Sequence, residues 1–325
     1  MANEKFIYLP KIVEVEAPNL HVGVKGRFQI FKGKEGQPRE LVADWFDNLI
    51  LNSGLDLLGT EETVIHGVYV GTSNVEPDVG QTALLGYRAY SDSTIGVSRP
   101  SDNIQTVPPY RVLRYFGYRF GQGAASGNLA EVGIGRSNNK LFARSLIKDE
   151  QGNPTTITVL SDEYLDVIYG IEIYPPLTDS QYTIDISGET YECTTRAAYC
   201  GSFSKWLSER GGITLRGLNA DPMSSTELGP ITATLQGTAS TSRVRNPGYS
   251  AGTFAKSGDL TWDFTLGNIS GGIGGFRLDL GYNYAPNVIH ETASFQTLIT
   301  PKIPKDVTKI LTLNFSWSWG RYVAP

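Results

Sequence analysis

The chain has 325 residues, 40% of them apolar and 19% charged, a composition that supports buried cores and excludes intrinsic disorder. Its net charge of −5 is spread along the sequence without a run of Lys or Arg, so nucleic acid is not an expected ligand. No stretch of about 18 apolar residues and no signal-peptide pattern occurs, which predicts a protein made in a cytoplasm without membrane insertion.

The length favours two domains, at roughly 100–200 residues each, and the 36 glycines favour many turns. We predict an extended amino-terminal arm at 1–24, a first module at 25–178 and a second at 179–325. The arm is predicted because residues 6–16 alternate only loosely around Pro10, which cannot donate a hydrogen bond in the middle of a sheet.

In the first module, apolar residues at every second position predict a series of strands. A short helix is predicted at 45–58, where leucines recur at helical spacing, and Gly54 is the point at which it would split. The segment 155–160 is predicted to return along 140–147 as a hairpin. The predicted strands are 26–31, 64–71, 108–120, 128–135, 140–147, 155–160 and 165–174.

The second module begins with a predicted hairpin at 182–195, turning at Ser187-Gly188. Strand patterns follow at 231–240, 259–267, 276–284 and 308–322. The last of these places Leu311, Leu313, Phe315, Trp317 and Trp319 on one apolar face. The fold class predicted for the whole chain is therefore mainly β, with two β-sandwich-like modules and one short helix near the start of the first.

The sequence contains no recognisable catalytic constellation. Its two cysteines, Cys193 and Cys200, have no nearby His, so we expect reduced thiols, with a local disulfide as the alternative, and neither a zinc site nor a cofactor. His290-Glu291 lacks the second His of a metalloprotease helix. We predict that the chain is not an enzyme.

Two alternatives to this interpretation stay open at the level of sequence. Paired carboxylates at Asp44/Asp47 and Asp162/Glu163 are favoured as helix-capping and turn residues, but glycoside hydrolysis also needs two acids. Aromatic strings are favoured in core and interface packing over a sugar-binding surface. Those strings are Tyr115, Phe116, Tyr118 and Phe120 in one part of the chain and Trp317, Trp319 and Tyr322 in another.

Several segments are similar to bacteriophage tail and fibre-associated structural proteins. The first reads GRFQIFKGKEGQPRELVADWFDNLILNSGLDLLG, with a W…NLI…GLD pattern, and VGTSNVEPDVGQTALLG follows it. AEVGIG, LFARSLI, GNPTTITVLSDE and LDVIYGIEIYP continue the likeness, and ITPKIPKDVTKILTLNFSWSWGR resembles the end of such a module. These segments cover about a third of the chain.

The resemblance implies a virion protein of the tail, in the baseplate, tail tip or collar, that is made in the host bacterial cytoplasm. Its partners would be copies of itself and other phage tail proteins, and the absence of heptads argues against a fibre shaft. The alternatives are a receptor-binding tail protein that recognises host-surface glycan through the loops at 72–106 and 236–258, and a polysaccharide hydrolase. The expected assembly contacts are Phe6, Tyr8, Ile12, Val15, Phe315, Trp317, Trp319 and Tyr322.

Overall fold

The computed structural model of the chain is mainly β, as predicted, with one α-helix among the described residues. Those residues are 20–61, 63–97, 104–105, 107–198, 200, 215–233, 242–244, 247–285 and 288–324. They form two compact units. The amino-terminal unit contains the described residues of 23–103, 112–173 and 320–325, and the carboxyl-terminal unit contains the remainder.

The amino-terminal unit is built from two main sheets. In one, β12 lies between β1 and β7, and β2 pairs with β1. The other has the order β3-β10-β9-β4-β5, and β8 pairs with β11 beside it. The elements up to β12 are β1 (Leu20–Gly33), β2 (Glu40–Asp47), β3 (Leu49–Ile50), α1 (Asn52–Thr60), β4 (Gly67–Gly71), β5 (Tyr87–Ser91), β6 (Ile104–Gln105), β7 (Arg111–Phe120), β8 (Gly127–Leu129), β9 (Glu131–Ser137), β10 (Lys140–Leu146), β11 (Ile157–Val159) and β12 (Tyr164–Tyr174).

Aromatic side chains join the two sheets of this unit. The ring of Tyr169 on β12 lies 4.8 Å from that of Phe28 on β1 and 6.5 Å from that of Phe142 on β10, measured between centroids. All eleven residues of β12 are buried, and the strand has neighbours on both edges. The unit is therefore a β-sandwich with its core between these sheets.

The carboxyl-terminal unit packs a six-stranded sheet against the pair β17–β20. The sheet has the order β13-β14-β19-β18-β15-β16. Phe276 of β18 lies between Trp262 of β17 and Phe315 of β20, with ring centroids 5.0 and 5.7 Å away. The strands are β13 (Ser180–Ile186), β14 (Glu189–Ala197), β15 (Gly217–Met223), β16 (Ser242–Val244), β17 (Ala255–Trp262), β18 (Ile273–Ala285), β19 (Val288–Ile303) and β20 (Leu311–Arg321).

Two predictions about local structure are confirmed. β13 and β14 form the predicted hairpin, and Ser187 and Gly188 both have positive φ, at 57° and 89°, as a tight hairpin turn requires. The apolar face predicted for the last strand is also present, since Leu311 and its four alternate neighbours on β20 are all buried.

Two others are wrong. Residues 45–47 end β2 and the helix starts only at Asn52, because Trp45 and Phe46 alternate along an edge that pairs with β1. Gly54 does not split this helix; it allows the helix to pack directly on the Phe142 carbonyl. The predicted hairpin forms only at its turn, where Thr155 donates its N–H to the Ile147 carbonyl at 2.8 Å; β11 pairs with β8 and not with β10, which lies between β3 and β9.

The amino-terminal arm lies outside the described residues up to position 19, and 20–24 belong to β1. The division between the units falls at Ile173/Tyr174, close to the predicted boundary at 178/179. Unlike the predicted modules, however, the units are discontinuous in sequence. Described residues of 20–22 and 104–111 belong with the carboxyl-terminal unit, and 320–324 belong with the amino-terminal unit.

Candidate protein-binding surface

A completely buried ion pair lies in the five-stranded sheet of the amino-terminal unit. Glu131 begins β9 and Arg144 lies on β10, and both side chains have zero exposure. The guanidinium donates Nε–H to Glu131 Oε2 at 2.9 Å, and Nη2 lies 2.8 Å from the same oxygen. A buried pair of this kind is stable only when its remaining donors and acceptors also find partners.

Those partners all come from one loop, residues 72–86, here named the pinned loop. The Glu131 carboxylate accepts backbone N–H groups from Gly86 at 2.6 Å, Leu85 at 3.3 Å and Ser73 at 3.4 Å. Arg144 donates to the Gln81 side-chain oxygen and to the Val75 carbonyl, each at 2.8 Å. The loop is consequently fixed to the sheet at five points, although it has little secondary structure of its own.

The pinned loop also completes the neighbouring elements. Its Val79 carbonyl accepts the N–H of Asn52, the first residue of α1, at 2.8 Å. That contact satisfies one of the N–H groups left free at a helix start, where Leu51 provides no side-chain cap. Its Leu84 packs in a small core with Leu51, Tyr69 and Leu141. The loop is therefore an integral part of the unit.

Large apolar side chains are exposed on and beside this loop. Val75, Val79 and Leu85 extend from the loop, and Tyr87 and Tyr90 extend from β5, which follows it directly. Leu85 and Tyr87 are 54% and 50% exposed. Five of the twelve exposed large hydrophobic residues in the described part of the chain thus lie within 75–90. We name the pinned loop and β5 together the loop–edge surface.

A second surface cluster lies on the outer face of the β1–β12–β7 sheet. The Arg27 guanidinium lies 4.6 Å above the Trp45 ring, donates to the Tyr115 hydroxyl at 3.3 Å and pairs with Glu172 at 3.4 Å. The Trp45 and Tyr115 rings are 5.4 Å apart and both are half-buried. This aromatic–arginine cluster combines flat apolar faces with fixed polar groups, which suits both protein and sugar partners.

The carboxylates considered for hydrolysis have structural partners. Asp44 accepts hydrogen bonds from Gln29 and from the Trp45 backbone, each at 2.8 Å, and Asp47 pairs with Lys25. Asp162, in the other predicted pair, pairs with Lys34 at 2.6 Å.

This ammonium holds the pKa of the Asp162 carboxyl below its usual value, first through their hydrogen bond and then through charge attraction. Glu163 accepts the Leu160 N–H at 2.7 Å, closing a turn. A catalytic acid needs a raised pKa, so the Asp162 shift has the wrong direction for that role.

The predicted assembly contacts need correction on β20. Phe315, Trp317 and Trp319 are at most 3% exposed, because the face predicted to be adhesive is the inner face of the strand. Tyr322 is half-buried, and its N–H donates to the Val24 carbonyl at 2.9 Å. The other four predicted contacts, Phe6, Tyr8, Ile12 and Val15, lie outside the described residues.

The aromatic string on β7 is half buried in the core and half at the surface. Tyr118 and Phe120 are buried, whereas Tyr115 and Phe116 are half-exposed, so Tyr115 alone joins the aromatic–arginine cluster. Its partner Trp45 was missed by the sequence reasoning, which placed Trp45 in a helix.

The sequence also did not single out Glu131 and Arg144. The signal for them is a charged residue within a strand of apolar and small neighbours, in AEVGIG and LFARSLI, since such a charge needs a buried partner.

Neither cysteine has the properties of a reactive group. Cys193 and Cys200 are free and buried, and burial raises the pKa of each thiol to about 12. A cavity beside Cys193, lined also by Tyr182 and Phe315, measures about 10 Å³, room for roughly one water molecule. Within the described ranges, no cluster of three or more His, Cys, Asp or Glu side chains is suited to a metal ion.

Comparisons of the chain with protein families, with curated proteins and with solved structures find no match. Among the described residues, no helix has the length and apolar character needed to span a membrane.

Proposed function

We propose that the chain is a structural component of a bacteriophage tail, in the baseplate, tail tip or collar, and that it acts through protein–protein assembly and not by catalysis. The observation that carries this proposal is the loop–edge surface. It presents exposed apolar side chains on a backbone that a buried ion pair holds in place. Its proposed partners are copies of the chain and other tail proteins.

The physical argument concerns the entropy cost of binding. A mobile loop must be ordered when a partner binds, and this reduces the affinity obtained from the buried area. The pinned loop is already ordered by Glu131 and Arg144, so Leu85 and Tyr87 are presented in one arrangement. Exposed apolar patches held in this way mark interaction surfaces, and Tyr is enriched in their most important contacts.

The sequence resemblance supports the same conclusion. Its segments VGTSNVEPDVGQTALLG, AEVGIG and LFARSLI contain the pinned loop, Glu131 and Arg144 respectively. In the fold these three segments meet at a single ion pair. Three of the segments that carry the resemblance thus build and hold the pinned loop.

The test is incorporation into phage particles. The double variant Leu85→Ser/Tyr87→Ser removes apolar area from the loop–edge surface without touching the buried pair, and we expect incorporation to fall at least about tenfold. Quantitative immunoblotting of purified particles measures it. The control, Leu177→Ser/Val307→Ser, changes two exposed hydrophobic residues of the carboxyl-terminal unit and should leave incorporation unchanged. Equal incorporation of both folded double variants would refute the proposal.

A second candidate function is recognition of host-surface glycan, which the aromatic–arginine cluster favours. The half-buried rings of Trp45 and Tyr115, tilted by 38° to one another, offer apolar surface, and Arg27 provides donors beside it. Glycan-array binding by the purified chain, lost in Trp45→Ala and retained in the loop–edge double variant, would support this function. Absence of binding to any arrayed glycan would remove it.

A further inference from the structure

β5 is an edge strand of the five-stranded sheet. β4 pairs with one side of it, and no strand among the described residues pairs with the other. An unpaired strand edge exposes N–H and C=O groups that readily accept another strand. Natural edges are often protected by Lys, Pro or a bulge that twists the edge away. The β5 sequence, YRAYS, contains no Lys or Pro, and its one irregularity is a register shift against β4 between Tyr87 and Ala89, which leaves Arg88 as the extra residue.

The side chains of β5 define what an added strand would meet. Arg88 and Tyr90 are exposed on one face, and Ala89 and Ser91 are buried on the other. The Arg88 guanidinium donates Nε–H to the Ser126 carbonyl, just before β8, at 3.2 Å. An added strand would therefore match this edge best with a small apolar residue opposite Ala89 and a carboxylate opposite Arg88.

Residues 12–16, with the sequence IVEVE, have this pattern. Val13 and Val15 alternate with Glu14 and Glu16, so a strand of these residues has one β-branched face and one acidic face. In an antiparallel register with Glu14 opposite Arg88, Val13 faces Ala89 and Ile12 faces Tyr90. Pro10 then falls beyond Ser91, the end of β5, where its missing N–H costs no ladder hydrogen bond.

We propose that residues 12–16 of one copy of the chain add as an antiparallel strand to the free edge of β5 in a second copy, with Glu14 paired to Arg88. This inference rests on the proposed function, because it identifies the partner of the loop–edge surface as a second copy. The segment lies outside the described residues, and Leu20 begins β1 four positions after it. Strand addition of this kind combines backbone hydrogen bonds with side-chain selectivity.

Cross-linking between two preparations tests the register. One preparation carries Glu14→Cys and the other Arg88→Cys; directly opposed residues have Cβ atoms about 4.5–5.5 Å apart, near disulfide range. The native thiols are buried with raised pKa values and should not compete. Mixing under mild oxidation should give a disulfide-linked pair of chains. The control, Glu4→Cys mixed with Arg88→Cys, should give at most about a tenth of that yield.

Charge reversal gives an independent measurement in the full chain. Glu14→Arg and Arg88→Glu should each weaken self-association about tenfold in sedimentation equilibrium, and the double variant should restore it. No self-association of the wild-type chain, or a cross-link yield equal to that of the control, would overturn the inference. A disulfide found only within single chains of an E14C/R88C double variant would also overturn it.

These results separate the inference from the function on which it rests. If the copies do not cross-link but Leu85→Ser/Tyr87→Ser still reduces incorporation, the loop–edge surface takes a different tail protein and the inference alone fails. If the cross-link forms but incorporation of the double variant is unchanged, the strand addition stands and the proposed role of this surface in tail assembly fails.

Discussion

Replacing Glu131 by Gln tests whether the buried ion pair holds the pinned loop. The substitution preserves shape but leaves the Arg144 guanidinium buried without its counter-charge. It also creates a conflict between donors. One Glu131 oxygen accepts from Gly86 and Ser73, and the other accepts from Leu85 and Arg144, so an amide nitrogen at either place faces two N–H donors.

The expected cost is large for a single isosteric change. Removing one partner of a buried pair costs about 3–5 kcal/mol, which is a large fraction of the roughly 5–15 kcal/mol that stabilises a domain. With a urea dependence of about 2 kcal/mol per molar, a loss of about 4 kcal/mol lowers the unfolding midpoint of the amino-terminal unit by about 2 M.

Urea denaturation followed by Trp fluorescence and by hydrogen exchange of the pinned loop provides the assay. The matched control is Glu61→Gln, which removes a half-exposed ion pair with Arg136 at 3.0 Å and should cost at most about 1 kcal/mol. If Glu131→Gln lowers the midpoint no more than Glu61→Gln does, and loop amides keep their protection, the ion pair does not hold the loop.

Three other substitutions test contacts in both units. Arg321→Ala removes donors to a β3 carbonyl and to the Asn52 side-chain oxygen, each at 2.6 Å, and should lower the stability of the amino-terminal unit by about 3 kcal/mol in thermal denaturation. Burial lowers the pKa of Lys256 to about 8 from 10.5. The unfolded chain therefore binds more protons between these values, so wild-type stability rises with pH there, and Lys256→Met should reduce that rise in thermal midpoints. Gly54→Ala should destabilise the fold in circular-dichroism melts despite a helix preference of about 1 kcal/mol, because its Cβ meets the Phe142 carbonyl.

Each of these substitutions has a control. Arg321→Lys keeps the charge but should not restore the stability of the amino-terminal unit, since one ammonium cannot replace the guanidinium fork at both acceptors. Lys309→Met removes an ammonium that pairs with exposed Asp306 and should leave the stability profile above pH 8 intact. Gly96→Ala adds a Cβ where nothing lies within 4 Å and should be neutral. An Arg321→Ala or Gly54→Ala protein as stable as wild type, or a Lys256→Met profile with the wild-type slope, would contradict the corresponding prediction.

Strand positions were predictable because period-two alternation directly reflects burial on one face. This held for β20 and for the β13–β14 hairpin, where Ser187-Gly188 also supplied a local turn signal. Which strands pair with one another was less predictable, since the sequence of a short strand such as β11 does not indicate its partner strand. The helix boundary failed because Trp45 and the leucines near it fit both periods over a short window.

The candidate surface was predictable only in outline. An apolar face on a strand predicts burial equally well against another sheet or against another protein. The apolar face of β20 is buried within the chain itself. The sequence placed 72–86 within a longer loop at 72–106. The order of 72–86 depends on two charged residues that are 13 residues apart in sequence and distant from much of the loop. Long-range polar contacts of this type leave no periodic pattern, so they become visible only in three dimensions.

The position of residues 320–324 in the amino-terminal unit affects how this protein can fold during its synthesis. Domains usually fold in the order in which they emerge, but here a contributor to the earlier unit is translated after nearly all of the later one. Arg321 must be synthesised before the Ile50 carbonyl and the Asn52 side chain receive their final partners. A nascent chain ending near Ile173 would thus hold an incomplete sandwich, and no single cut of the chain releases the amino-terminal unit whole.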